Sequence, residues 1–284
     1  MTVKAHTPAT MSELFDVLKS LTPDSKIIGG GTDLIIRLRQ SHCKTDALVY
    51  LGSIPGICDI IETADGIEIG AMATMTDLAT HPLITGPYAA LSHAAVDVGA
   101  VQIRNNATIG GNLGNASPAG DLMPVWNLLG GEALIAGPDG ALRREAVSKV
   151  FLGPGKTSLQ YNEAIVRFVV QKPQSPSTKS AFVKLGYRKM LTISRIGIAA
   201  TLDMDANGIV TQFELLAGAI SPTPMHVTEA ENYLTGKQLT ADNIKQVGQF
   251  LSDLIMEVTP EMFDRDYKAA AAFGVVEDLF AKFV

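Results

Sequence analysis

Apolar positions follow two periods along this chain, and the switch between them marks its elements. Thr10 and Glu13 form a helix-capping box, and Leu14, Val17, Leu18 and Leu21 follow at helical spacing up to Pro23-Asp24. The unbroken apolar run 47–51 predicts a buried strand. Residues 57–61 and 67–71 flank Asp65-Gly66, and 133–136 and 142–144 bracket Pro138-Asp139-Gly140, which predicts two hairpins. Thr76 is placed to cap a short helix around Leu78, with a turn at His81-Pro82-Leu83. An alanine-rich helix is expected over 89–98 and a short one over 124–129. Residues 164–170 alternate as a strand should. The stretch 172–179 has two prolines and no large apolar residue, so a domain boundary is expected there, near residue 174. Beyond it, strands are expected at 181–186, 198–204 and 209–217, with a turn at 205–208. Helices are expected at 228–234, at 241–256 and from 266 onward. Leu251, Leu254 and Ile255 give the second of these an apolar face. Beyond residue 179 the pattern is therefore a sheet followed by helices.

Two stretches fit neither period. Residues 105–121, N-N-A-T-I-G-G-N-L-G-N-A-S-P-A-G-D, hold Gly110, Gly111, Gly114 and Gly120 among Asn112, Asn115, Ser117 and Asp121. A polar glycine-rich segment of that length is expected to be a loop with a job. Glycine lets backbone come close to a ligand, and successive N–H groups can form an anion-binding nest. The second stretch begins at Lys26-Ile27-Ile28, the end of a short strand, and runs through Gly29-Gly30-Gly31-Thr32-Asp33 into Leu34. Strand, glycine turn, then a helix capped by Thr32 or Asp33 suits a phosphate. Two such loops predict a ligand with two phosphates, a dinucleotide. The alternative is a pair of ordinary tight turns. Neither loop is a Rossmann G-x-G-x-x-G or a Walker A motif. Gly155-Lys156-Thr157 ends like a Walker loop, but Val150 stands where its first glycine is required, so a turn is expected.

These residues resemble a known family. Gly29-Gly30-Gly31-Thr32-Asp33-Leu34 looks like its first flavin motif. Thr108-Ile109-Gly110-Gly111-Asn112-Leu113, preceded by Gln102-Ile103-Arg104-Asn105 and continued to Asp121, looks like its second. Gly153-Pro154-Gly155-Lys156 and Lys184-Leu185-Gly186-Tyr187-Arg188-Lys189 also fit. The family is the FAD-binding medium subunit of molybdenum hydroxylases: xanthine dehydrogenase, carbon monoxide dehydrogenase, and nicotinate or aromatic hydroxylases. The resemblance covers essentially the whole chain. It implies a two-subdomain FAD-binding fold of the vanillyl-alcohol oxidase (PCMH) type over residues 1–174, then an α+β C-terminal domain over 175–284. It implies an FAD-containing electron-transfer subunit. A small partner would hold [2Fe–2S] clusters, a large one molybdopterin, and NAD+ or another acceptor would take the electrons. The residues matching its pyrophosphate and ribityl contacts are Lys26, Ile27, Ile28, Gly29, Gly30, Gly31, Thr32 and Asp33, with Ala107, Thr108, Ile109, Gly110, Gly111 and Asn112. Ser117 and Asp121 match positions that reach ribityl or ribose hydroxyls. Val98, Ile165 and Lys184 match positions near the isoalloxazine. Thr192-Ile193-Ser194 stands where the family often has an aspartate, a departure from its pattern.

Composition narrows the alternatives. With 284 residues, 46% hydrophobic and 18% charged, the chain can build a sizeable core. A net charge of −6 argues against nucleic acid as a partner. Cys43 and Cys58 give no metal or iron–sulfur pattern and suit free thiols in a reducing cytoplasm. The five histidines, His6, His42, His81, His93 and His226, are scattered without metal-ligand spacing. No signal peptide or membrane span is expected, which favours a cytoplasmic protein. No acid–base catalyst stands out. Two rival functions are a non-redox binding module of the same fold and a stand-alone flavin oxidase. Absence of His or Cys within either glycine loop speaks against a covalent flavin of the oxidase kind.

Overall fold

A computed structural model describes residues 3–40, 44–188 and 191–283 of the chain. Cys43, His42 and Lys189 lie outside the described residues. The chain forms two compact units. The first comprises Met1–Leu78, Ala100–Ser117 and Gly130–Gln171, and the second Ala79–Gly99, Pro118–Leu129 and Lys172–Val284.

The first unit contains two sheets. Strands Lys4–His6, Ala47–Tyr50 and Lys26–Ile28 form a parallel sheet with Ala47–Tyr50 in the centre. Helix Met11–Lys19 connects the two outer strands and buries Leu14 and Leu18. Its capping box is real but offset. The Thr10 hydroxyl accepts from the Glu13 N–H at 3.1 Å, while the Glu13 carboxylate accepts from the N–H of Ala9, one residue before the cap. The second sheet is antiparallel, in the order Ile60–Glu62, Gly66–Gly70, Ala164–Gln171, Glu132–Ala136, Leu142–Ala146. Both expected hairpins are there. Strand Ala164–Gln171 is buried almost continuously rather than in alternation, as a central strand covered on both faces must be. Leu14, Leu18, Val49, Leu51, Ile54 and Ile57 share one core with Ala164 and Val166.

The second unit is a four-stranded antiparallel sheet, Lys179–Leu185, Ile196–Met204, Val210–Gly218 and Met225–His226. Helices Ala241–Val258 and Arg265–Phe280 pack with it through Val247, Leu251, Ile255, Val276 and Leu279. Leu254, expected on the buried face, is only half-buried. Two segments far away in sequence belong to this unit. The N–H of Ala90, opening helix Ala89–Val96, donates to the Ser180 hydroxyl at 2.9 Å. Helix Leu122–Leu128 buries Trp126 and sets Pro124 against Gly218. Asp203 accepts hydrogen bonds from Ser175, Ser177 and Thr178, so the stretch read as a linker is clipped to this unit.

Three expectations are corrected. Residues 109–115 form a helix, not a loop, with Thr108 as its cap. The helix near Leu78 is capped by Thr74, which exchanges hydrogen bonds with Asp77, while the Thr76 hydroxyl donates to Asn105 at 2.6 Å. The helix expected from Pro124 begins at Leu122, with Pro124 in its first turn where no N–H is needed. Among the described residues, no helix is long and apolar enough to cross a membrane.

Candidate functional site

In the first unit the two glycine-rich segments meet. Strand Lys26–Ile28 is half-buried, and the turn Gly29–Gly31 leads into helix Leu34–Arg39. A β-carbon at Gly29 would lie 2.3 Å from the Thr108 hydroxyl, and one at Gly30 would lie 1.7 Å from the Asn106 carbonyl oxygen. A β-carbon at Gly110 would lie 2.8 Å from the Ala71 carbonyl. Gly30 and Gly110 therefore let backbone press on backbone, and Gly29 lets it press on the Thr108 side chain, rather than only admitting a ligand as the sequence suggested. Gly31 serves the turn itself, at φ +70°.

What the packing leaves open is as informative. Among the described residues no protein acceptor is bonded to the N–H groups of Gly30, Gly31 and Thr32. Three successive peptide donors at a strand-to-helix turn suit an anion. Asp33 stands at the helix cap but makes no capping bond; its carboxylate pairs with Arg37 at 2.6 Å. The same guanidinium donates to Asn115 at 2.8 Å, tying the first helix to the end of the second segment.

The second segment is a short helix with glycines on it. Thr108 is buried, and its hydroxyl accepts from the Gly111 N–H at 3.1 Å. The N–H groups of Ile109, Gly110 and Asn112 go to Ala73, Ala71 and Thr108 carbonyls. The Ala107 carbonyl accepts from Met75 at 2.9 Å. The helix ends at Ala116, at φ +49°, whose carbonyl accepts from Gly155 in the hairpin between Phe151–Gly153 and Lys156–Thr157. That hairpin is the turn expected at Gly155. Gly111 and Gly114 are exposed, and Gly114 has nothing within 4 Å of a β-carbon. The Asn112 side-chain oxygen is buried without a hydrogen-bond partner, an acceptor waiting for a donor. Ser117 follows, half-buried. Ile165 is buried at the irregularity where strand Ala164–Gln171 shifts register against Glu132–Ala136. The Lys26 ammonium is occupied by the Pro23 and Ser25 carbonyls.

The second unit gathers the other charged candidates. Lys184 and Asp121, both 7% exposed at their side chains, pair at 2.7 Å. Lys184 also donates to the Asp97 carbonyl at 2.7 Å and the Thr192 carbonyl at 3.2 Å, so all three ammonium protons have acceptors. The other Asp121 oxygen accepts from the Ser194 hydroxyl. Burial pushes the Asp121 carboxyl up, and the Lys184 charge and the bonds from Lys184 and Ser194 only partly oppose it. Val98 is half-buried just past helix Ala89–Val96. Sequence reasoning named Asp121 and Lys184 separately and did not join them. It noted Ser194 only as a departure, whereas here that residue supplies a bond to the carboxylate. The Asp33–Arg37 pair had a signal in its i,i+4 spacing. The Asn106 carbonyl had none.

Three open peptide donors and an unpartnered amide oxygen, held on an α+β fold, fit a phosphate-bearing cofactor. Residues 1–173 match the family model of the FAD binding domain in molybdopterin dehydrogenase, and residues 181–282 that of the CO dehydrogenase flavoprotein C-terminal domain. The chain belongs to this family, the FAD-binding medium subunits of molybdenum hydroxylases. It is similar to the nicotinate dehydrogenase FAD-subunit of Eubacterium barkeri, 32% identical over 279 residues, which are 96% of this chain and 93% of that one. The putative xanthine dehydrogenase FAD-binding subunit of Escherichia coli is 28% identical over 90% of this chain and 86% of its own length. Among solved structures, carbon monoxide dehydrogenase from Hydrogenophaga pseudoflava aligns with a TM-score of 0.86 at 25% identity, covering 99% of this chain and 96% of that one. The cofactor is FAD. The open N–H groups and the unpartnered Asn112 oxygen fit it.

Proposed function

We propose that this chain is the flavin-carrying electron-transfer subunit of a molybdenum hydroxylase complex whose other subunits carry [2Fe–2S] clusters and molybdopterin. When bound, FAD can accept electrons singly from the clusters and release them as a pair to an acceptor such as NAD+. The observation that carries the reading is the approach of Gly29 and Gly30 to Asn106 and Thr108 beside three open peptide donors. The protein's part is to bind and orient. Gly30, Gly31 and Thr32 donate to phosphate oxygens, while Lys26, Ile27, Ile28, Gly29 and Asp33 hold the turn in shape. Ala107, Thr108, Ile109 and Gly110 buttress it from behind, and Gly111 and Asn112 present an open surface and a free acceptor. For Ser117 and Asp121, the family resemblance supports contacts with ribityl or ribose hydroxyls. For Val98, Ile165 and Lys184 it supports places near the isoalloxazine. Functionally the chain divides at residue 174, with the FAD-binding domain before it and the C-terminal domain after. The composition supports a cytoplasmic complex.

The test is the visible spectrum of the purified chain, alone and with excess FAD. Flavin bands are expected in the wild type and not in Gly111→Trp, a position that is exposed and where a β-carbon would meet only the Thr108 hydroxyl. A wild type that stays colourless in the presence of its partner subunits would end this reading. Bleaching of the bands by NADH would identify the acceptor.

A further inference from the structure

Lys268 is a buried cation with too few acceptors. It stands in the first turn of helix Arg265–Phe280, 3% exposed. Its ammonium donates to the Ala219 carbonyl at 3.1 Å. The Asp264 carboxylate oxygen is 3.8 Å away, too far for a hydrogen bond, and is held by Arg195 at 2.6 Å. The other partner within reach is the Met262 sulfur, at 3.6 Å. An ammonium has three protons to place, and a thioether is a weak acceptor. Among the described residues the third proton has no acceptor. Burial pulls the Lys268 amine below the ordinary lysine value; the Asp264 charge opposes that, and Arg195 adds to it. An under-bonded buried charge is costly, so a stronger acceptor at Met262 would stabilise the fold.

Met262 is also within reach of solutes. It is 45% exposed, in the turn 259–264 between helices Ala241–Val258 and Arg265–Phe280. Its N–H donates to the Thr259 carbonyl and its own carbonyl accepts from Arg265, both at 3.1 Å. The backbone is thus fixed, while the side chain is open to solvent and still meets the ammonium. The chain has ten methionines. Among the described ones Met256 is the other that stands well exposed, at 38%, and no donor is bonded to its sulfur.

We propose that Met262 is an oxidation site read by Lys268: hydrogen peroxide converts its thioether to the sulfoxide, and the new oxygen accepts from the Lys268 ammonium. One peroxide oxygen is transferred to sulfur, the O–O bond breaks, and the other oxygen leaves as water with both peroxide protons. Sulfur gives up two electrons and the peroxide takes them. Methionine oxidation ordinarily puts a polar group where an apolar one packed, and so loosens a protein. Here the polar oxygen meets a buried donor that lacks an acceptor. The sign is therefore reversed, and the turn is fastened to the helix that follows it. A methionine sulfoxide reductase restores the thioether and releases it.

The experiment uses the full chain. Peptide mass mapping after graded hydrogen peroxide shows which sulfurs react. Met262 is expected to react at least as fast as Met256. Met262 left as the thioether where Met256 is oxidised overturns the proposal. Melting temperature is then read in a Met256→Leu background with Met262 oxidised and the buried methionines intact. A rise of about 2–4 °C is expected, and it should be absent when the same chain carries Lys268→Met. No rise, or an equal rise without Lys268, overturns the proposal. Should the Lys268 variant fail to fold, Met262→Gln compared with Met262→Leu decides. The amide offers an oxygen at that place without peroxide, so the Gln variant should melt above the Leu variant by a similar margin. A Gln variant that melts at or below the Leu variant overturns the proposal.

Discussion

The carbonyl oxygen of Asn106 lies 1.7 Å from where a β-carbon on Gly30 would stand. No side-chain rotation relieves that overlap, because both partners are backbone. Gly30→Ala must therefore push the two segments apart. It should cost about 1–3 kcal/mol or more in unfolding free energy and weaken FAD binding by a larger factor than stability alone explains. Thermal unfolding with and without FAD measures both. An alanine variant that binds FAD as the wild type does would show that the two segments need not touch.

Gly114 supplies the opposite case. It sits in helix Ile109–Asn115 with open space around it and no positive φ. Gly114→Ala should raise stability by about 0.5–1 kcal/mol through helix propensity and a less flexible unfolded chain. If FAD affinity falls while stability rises, backbone at Gly114 is approached by the cofactor.

His93 makes stability depend on pH. Burial, and then the charge of Lys282, hold its imidazole down to about 4, against an ordinary value of 6.5. Its Nδ1 is buried and has no hydrogen-bond partner. At neutral pH the ring is uncharged in both folded and unfolded chains. Below 6.5 the unfolded chain takes up a proton that the folded one refuses until about 4. Stability therefore falls as pH drops through that window. The half-exposed setting screens the effect to about 1–2 kcal/mol. In His93→Leu the slope between those pH values should flatten; denaturant titrations at pH 7 and pH 5 decide it.

Much of the first glycine segment was legible. Strand, three glycines and helix are local signals, and local geometry followed them. The second segment misled. Four glycines and several asparagines argue for a loop, yet Thr108 caps residues 109–115 into a helix, and buried Ile109 and Leu113 hold it against the core. Tertiary packing outweighed propensity there. The placement of 79–99 and 118–129 with the second unit was invisible for a related reason. Ser180 receiving the Ala90 N–H, and Pro124 meeting Gly218, are contacts across about ninety positions, and no local period encodes them. Asp121 and Lys184 were each noticeable as charges, but only the fold shows that one neutralises the other.

That pair yields the last prediction. Lys184→Met leaves the Asp121 carboxylate buried with only Ser194 to bond it, because the ammonium that faced its other oxygen is gone. Breaking one side of a buried pair costs about 3–5 kcal/mol. The cost must itself depend on pH. In the variant the folded-state carboxyl is raised above its unfolded value by burial, so the folded chain keeps a proton that the unfolded chain loses. Stability is then greatest below the ordinary carboxylate range and declines as pH climbs through it, the reverse of the slope set by His93. Removing both partners as Asp121→Leu with Lys184→Met should recover most of the loss, since no charge is left stranded. The Asp97 and Thr192 carbonyls would still lack their donor, so recovery should stop short of the wild type. Chemical denaturation of the two singles and the double at pH 5 and pH 8 gives the coupling directly. Additive losses in the double variant would mean that Lys184 and Asp121 act independently, and that the buried network does not hold these three chain segments together.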